Sequence, residues 1–318
     1  MLKVNTRSGL IDNVSAILNE RSTRVALVLI LVGLLFGYSA RAQAQIPPTP
    51  PDKVKGISDV LYPPTDTEQT IGAAKVTSEE AILGIKVPIL MYHYIEINPN
   101  PTGDPGRSRL LVTPANFEAQ LKYLRDNGWT TVTLDDLISY FANPQLMPAK
   151  PVILTFDDGY QDFYDNAWPL LKKYHDKATI YVISLGGHPG ACGNNFWQPN
   201  FYMTDAELRE LASTTLITVG AHTEDHCSLK GKPEATQWQE ILGSKTELEA
   251  IIGKPVRDFA YPYGSFDQTT LRIVKESGFD TAVTTIPGSV NNESMVYTLH
   301  RVRMANLPVS WFADQLAK

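Results

Sequence analysis

Only two cysteines stand among 318 residues, too few for a disulfide scaffold or a four-cysteine zinc site. Basic side chains are also scarce. The 28 Lys+Arg against 34 Asp+Glu leave a net charge of −6, and no dense basic block occurs, so nucleic acid is not an expected partner. Long apolar runs are scarce too: Val25 to Tyr38 is short for a spanning helix, which needs roughly 20 residues. Histidine is sparse as well, at six, which makes the placement of each informative. What remains is an ordinary globular composition, 43% hydrophobic and 19% charged.

The amino terminus is set apart. Val25 to Tyr38 is apolar and uncharged, Arg21 and Arg24 precede it, and small residues follow at Ala40, Ala42 and Ala44. This pattern predicts a cleaved signal peptide over residues 1–44, with a retained membrane anchor as the alternative, since the charged lead is long for a signal. Either reading makes the rest of the chain extracytoplasmic: periplasmic, secreted or tethered to a membrane. Pro47, Pro48, Pro50, Pro51, Pro63 and Pro64 then mark an extended tether over residues 45–86, with a possible short helix at Ser78 to Leu83. Residues 87–318 have the size of one barrel-like domain.

Within that domain short β-prone runs alternate with helix-period segments. The strands expected are Pro88–Tyr92, Thr130–Thr133, Val152–Phe156, Ala178–Ile183, Leu216–Gly220, Asp258–Tyr261 and Thr281–Thr284. Among the helices, one opens at Thr113-Pro114, carries Phe117, Leu121 and Leu124 on one face, and stops at Asn127-Gly128. Strict alternation implies parallel strands with right-handed crossovers. Seven of them fit an α/β fold of the irregular (β/α)7 barrel kind better than an open doubly wound sheet. In such a barrel functional residues lie just past the carboxyl ends of strands.

Four expected strand ends carry suggestive chemistry. Thr155-Phe156-Asp157-Asp158-Gly159 puts two carboxylates side by side, so that one can bind a cation while its neighbour takes a proton; alone, the run reads equally as an Asp-Gly turn. His222-Thr223-Glu224-Asp225-His226 spaces two imidazoles to reach one metal, without the glutamate of the metalloprotease pattern. A carboxylate with two imidazoles leaves positions open for water, which suits a hydrolytic metal centre. Zinc is the default ion, and cobalt, iron, manganese or nickel suit the same donors. His93 ends the first strand as a candidate acid, and Tyr261-Pro262-Tyr263-Gly264 forms a turn that can offer a backbone N–H to an oxyanion.

These runs resemble the motifs of the polysaccharide deacetylases of carbohydrate esterase family 4, the NodB homology domain, and the resemblance covers residues 87–305. The opening Leu90-Met91-Tyr92-His93 is similar to the exported branch that deacetylates poly-β-1,6-N-acetylglucosamine. The resemblance implies a (β/α)7 barrel and metal-dependent hydrolysis of N-acetyl groups on an N-acetylglucosamine polysaccharide. It implies Asp157 as general base, Asp158, His222 and His226 as metal ligands, His93 as acid and the backbone of Tyr263 as oxyanion donor. The family's third-motif arginine is replaced by Ala260, which leaves the group that orients Asp157 unidentified. His300 is a second candidate acid, ranked below His93 because this branch tends to carry Pro there before a structural arginine, here Arg301. An O-acetyl esterase acting on a xylan-type polymer and an inactive glycan-binding module are the alternative functions. Cys192 and Cys227 would meet an oxidising compartment, and a bridge or two free thiols are both compatible with the sequence. Phe196-Trp197 and Phe201-Tyr202 could stack on sugar faces, although aromatics in such loops more often pack.

Overall fold

The computed structural model describes residues 84–98, 105–194 and 201–318. The expected signal or anchor, the tether as far as residue 83, and Phe196 and Trp197 lie outside the described residues. Seven parallel strands run β1 Ile89–Tyr92, β2 Pro151–Phe156, β3 Ala178–Val182, β4 Ile217–Ala221, β5 Asp258–Ala260, β6 Thr281–Pro287 and β7 Leu299–Arg303. Each pairs with its neighbour in sequence, and β7 pairs with β1 to close the ring. The fold is therefore the irregular (β/α)7 barrel that the alternation implied.

One member of the ring differs from expectation. Thr130–Thr131 is a two-residue strand beside Pro151 and Val152, at the foot of β2, and β1 takes over that edge from Ile153. The chain leaves this edge at once, because Thr133 caps the next helix, exchanging side-chain bonds with Asp136 in a capping box. The seventh place is taken by Leu299-His300-Arg301-Val302-Arg303. Its charges hide it in the sequence, since barrel strands usually read as apolar runs. Ile85–Lys86, at the end of the expected tether, pairs antiparallel with Val290–Asn291.

Alternation along the strands divides the core into two clusters. Ile89, Ile153, Tyr181, Ala260, Val283 and Leu299 form an interior cluster, joined by Leu134, Leu137 and Tyr140 of helix α2 (Leu134–Ala142). Leu90, Leu154, Phe156, Ile180 and Val182 belong to the layer between barrel and helices. There α1, Pro114–Asp126, buries Phe117, Leu121 and Leu124; Thr113 caps it by accepting from the Asn116 N–H, a bond worth about 1 kcal/mol. Interior space is tight: a Cβ on Gly220 of β4 would lie 2.5 Å from the Tyr181 ring. Among the described residues no helix is long and apolar enough to cross a membrane.

Candidate active site

Where β2 ends, Phe156 turns outward and the next two residues meet the barrel mouth as carboxylates. Asp157 is 3% exposed, and its two oxygens receive a fork from Arg301, Nη1 to Oδ1 and Nη2 to Oδ2, both at 2.7 Å. Arg301 points inward from β7, is fully buried, and also donates to Thr155 Oγ1 at 3.1 Å and to the Thr284 carbonyl at 2.8 Å. Burial pushes the Asp157 carboxyl up, but the guanidinium outweighs it and holds the group below the usual carboxylate range. His93, just past β1, places Nε2 3.8 Å from Asp157 Oδ2. Burial lowers this imidazole, against the opposing pull of Asp157 and Asp158.

Asp158 turns the other way, on a left-handed backbone with φ of 78°. Its Oδ1 lies 3.4 Å from His222 Nε2 and 3.3 Å from His226 Nε2, yet is buried without a hydrogen-bond partner. Ligands about 2.1 Å from a tetrahedral ion stand about 3.4 Å apart, so these separations fit a shared metal. His222 Nδ1 sits 2.7 Å from the Ala260 carbonyl, which can only accept; the proton is thereby assigned to Nδ1 and the Nε2 lone pair faces Asp158. Burial lowers His226 to about 4, which keeps its imidazole neutral as a ligand must be.

Backbone strain gathers at the same place. Five described non-glycine residues have positive φ, and four are Asp158, Thr223, His226 and Tyr263. Each left-handed residue costs about 1–2 kcal/mol, which the surrounding contacts must offset. Those contacts are dense around the loop from His222 to His226. Thr223 Oγ1 accepts from the Cys227 N–H at 3.0 Å, and Glu240 Oε2 accepts from the Glu224 and Asp225 N–H groups. Asp225 Oδ2 accepts from Gly190 and Asn194, and a disulfide joins Cys192 to Cys227 across a Cα separation of 5.7 Å. Of the two cysteine states compatible with the sequence, the structure has the bridge.

The mouth is walled by aromatics. Tyr263 is 60% exposed, and its ring centre lies 4.5 Å from that of His226. The turn Pro262–Gly264 closes through the Gly264 N–H, which donates to the Tyr261 carbonyl, and the Ser265 N–H, which donates to the Pro262 carbonyl. Gly264 is required there: its φ is 67°, and a Cβ would sit 2.1 Å from Thr285 Oγ1. Phe201 and Tyr202 pack on Tyr160, with ring centres at 4.7 and 5.4 Å, so much of their surface is spent on protein contacts.

The structure thus brings Asp157, Asp158, His93, His222, His226 and Tyr263 to one end of the barrel. His300 is not among them. It alternates with Arg301 along β7, its N–H donating to Asn291 Oδ1 at 2.8 Å and its ring lying beside Gly288. Arg301 is the partner of Asp157 that the sequence left unidentified. Its only local signal is that Leu299 and Arg301 share one face of a short strand.

Comparisons with known proteins converge on one kind of protein. A sequence profile described as polysaccharide deacetylase matches residues 145–282. YxkH of Bacillus subtilis, a protein named for polysaccharide deacetylase, is 34% identical over 221 residues, covering 69% of this chain and 72% of that one. A poly-beta-1,6-N-acetyl-D-glucosamine N-deacetylase of Staphylococcus epidermidis is 30% identical over 203 residues, covering 61% of this chain and 68% of its own. Among solved structures, the Streptococcus pyogenes deacetylase PplD in complex with acetate superposes with a TM-score of 0.64 at 29% identity, over 73% of this chain and 99% of that one.

Proposed function

The chain belongs to the polysaccharide deacetylase family, and on that premise we propose that it is a metal-dependent N-deacetylase of an extracytoplasmic, N-acetylglucosamine-containing polysaccharide. The observation that carries this reading is the orphaned, buried Asp158 oxygen facing two imidazole nitrogens, with a second carboxylate alongside. The similarity to a poly-beta-1,6-N-acetyl-D-glucosamine N-deacetylase supports the choice of glycan, and the charged lead and apolar run before Tyr38 support export.

Asp158, His222 and His226 would hold the ion, zinc by default. When bound, such an ion supplies Lewis-acid polarisation of a carbonyl and acidification of water. Asp157, kept ionised by Arg301, accepts the proton of the attacking water. The Tyr263 N–H would donate to the oxygen on which charge develops. His93 returns a proton to the leaving amine. Asp157 Oδ2 stands 3.8 Å from His93 Nε2, which sets the proposed base and the proposed acid side by side. The products are acetate and a free sugar amine.

The test is acetate release from N-acetylglucosamine oligomers and from acetylated xylan, each with and without chelator. Chelator-sensitive release from the amide substrate is expected. Release from xylan alone would reassign the protein as an O-acetyl esterase, and no release from either would refute the enzyme reading.

A further inference from the structure

Behind the loop that carries His226 lies a second set of metal-binding atoms. One sulfur or oxygen from each of Cys192, Asp225, Cys227 and Glu240 falls within 4.8 Å of all the others. Asp225 and Glu240 are fully buried, and among the described residues no lysine or arginine pairs with either. Asp225 Oδ2 is satisfied by the Gly190 and Asn194 N–H groups, but Oδ1 is buried with no partner. With the bridge closed, the sulfurs are bonded to each other and the cluster has only two carboxylates to offer.

We propose that this cluster is a second, redox-gated metal site, which takes a thiophilic divalent ion such as zinc once a dithiol has reduced the Cys192–Cys227 bridge. The reductant's two electrons cleave the S–S bond, the dithiol becomes a disulfide, and two cysteine thiols form. Metal binding then releases both thiol protons and gathers two thiolates with Asp225 and Glu240. Zinc–thiolate bonds of about 2.3 Å place two sulfurs about 3.8 Å apart, a separation that cysteines with a Cα distance of 5.7 Å reach by side-chain rotation. Entry is possible because Cys192 is only half-buried, in the irregular stretch from Gly190 to Asn194, while Cys227 is fully buried and follows as the second thiol. Thiolates distinguish this site from the Asp158, His222 and His226 cluster, which has oxygen and nitrogen donors alone. In either redox state the loop after β3 stays fastened to the loop that carries His226, first by a covalent bond and then by an ion.

Cobalt reports the two sites separately, because only thiolate ligation gives a near-ultraviolet charge-transfer band. The full-length oxidised protein should bind one cobalt per chain without that band. After dithiol reduction, with two thiols counted by titration, it should bind two and show it. Cys192→Ser and Glu240→Gln, kept under reductant, should each lose the second equivalent and keep the first. Two free thiols with one cobalt and no thiolate band would overturn the proposal, and so would a bridge that excess dithiol leaves closed in the native protein. Failure of the deacetylase centre would instead remove the equivalent that lacks the band.

Discussion

Replacing Arg301 tests the link between fold and chemistry most directly. Arg301→Met keeps much of the side-chain length but leaves Asp157, 3% exposed, with neither of its two 2.7 Å bonds. Removing one partner of a buried ion pair costs about 3–5 kcal/mol, largely because the other charge is stranded. At roughly 2–4 °C per kcal/mol for a domain of this size, the melting temperature should fall by about 6–20 °C. Activity should fall in a pH-dependent way. Burial alone raises Asp157, and Arg301 is what reverses that. Asp258 shows what a buried carboxyl without such a fork does in the same barrel: burial lifts it to about 7. As the Asp157 carboxyl moves toward that range, the acid limb of the kcat/KM profile should move up with it, losing about tenfold per pH unit below the new midpoint. Arg301→Lys keeps the charge without the planar fork, and should recover part of the acid limb but not the full rate. The assay is kcat/KM for acetate release from pH 5 to 9, with metal content measured on the same samples. A folded, metal-replete Arg301→Met protein whose acid limb superimposes on the parent's would refute the positioning role.

Asp157→Asn should abolish turnover yet retain bound metal, whereas His222→Ala should lose the metal; equal metal content in the two variants would contradict the division of roles between the adjacent carboxylates. Gly264→Ala forces a Cβ to 2.1 Å from Thr285 Oγ1 at a φ of 67°, so we expect a loss of about 2–4 kcal/mol in stability and a lower kcat with metal content unchanged, read by urea unfolding and steady-state assay. Asp258 binds a proton in the folded chain up to about pH 7 but in the unfolded chain only to about pH 4, so its contribution to stability is lost as pH rises through that window. Asp258→Asn should therefore gain up to about 4 kcal/mol over the parent at pH 8 and little at pH 4, and an equal difference at both would show that Asp258 does not titrate there.

Local pattern carried much of the architecture. The Thr113-Pro114 start, the Asn127-Gly128 stop and the strands ending at Tyr92 and Phe156 follow from capping, turn chemistry and hydrophobic period, all of which act within a few residues. The same reasoning placed Asp157, Asp158, His93, His222, His226 and Tyr263 at strand ends, because a parallel barrel sends every carboxyl end to one mouth. The place where it failed is β7. A segment reading Leu-His-Arg-Val-Arg offers no apolar run, and an arginine inside a barrel is stable only if something neutralises it. That something is Asp157, 144 positions away, and no local periodicity encodes the pairing. Thr130–Thr133 held only in part: Thr130–Thr131 forms a short parallel strand beside Pro151 and Val152, but from Ile153 onward that edge belongs to β1. The sequence by itself singled out the candidate side chains of the site and assigned them to strand ends. Tertiary structure alone decided which strand closes the ring, which arginine holds the catalytic carboxylate candidate and which face of β7 excludes His300, because each depends on partners far apart in the chain and brought together only when the barrel closes.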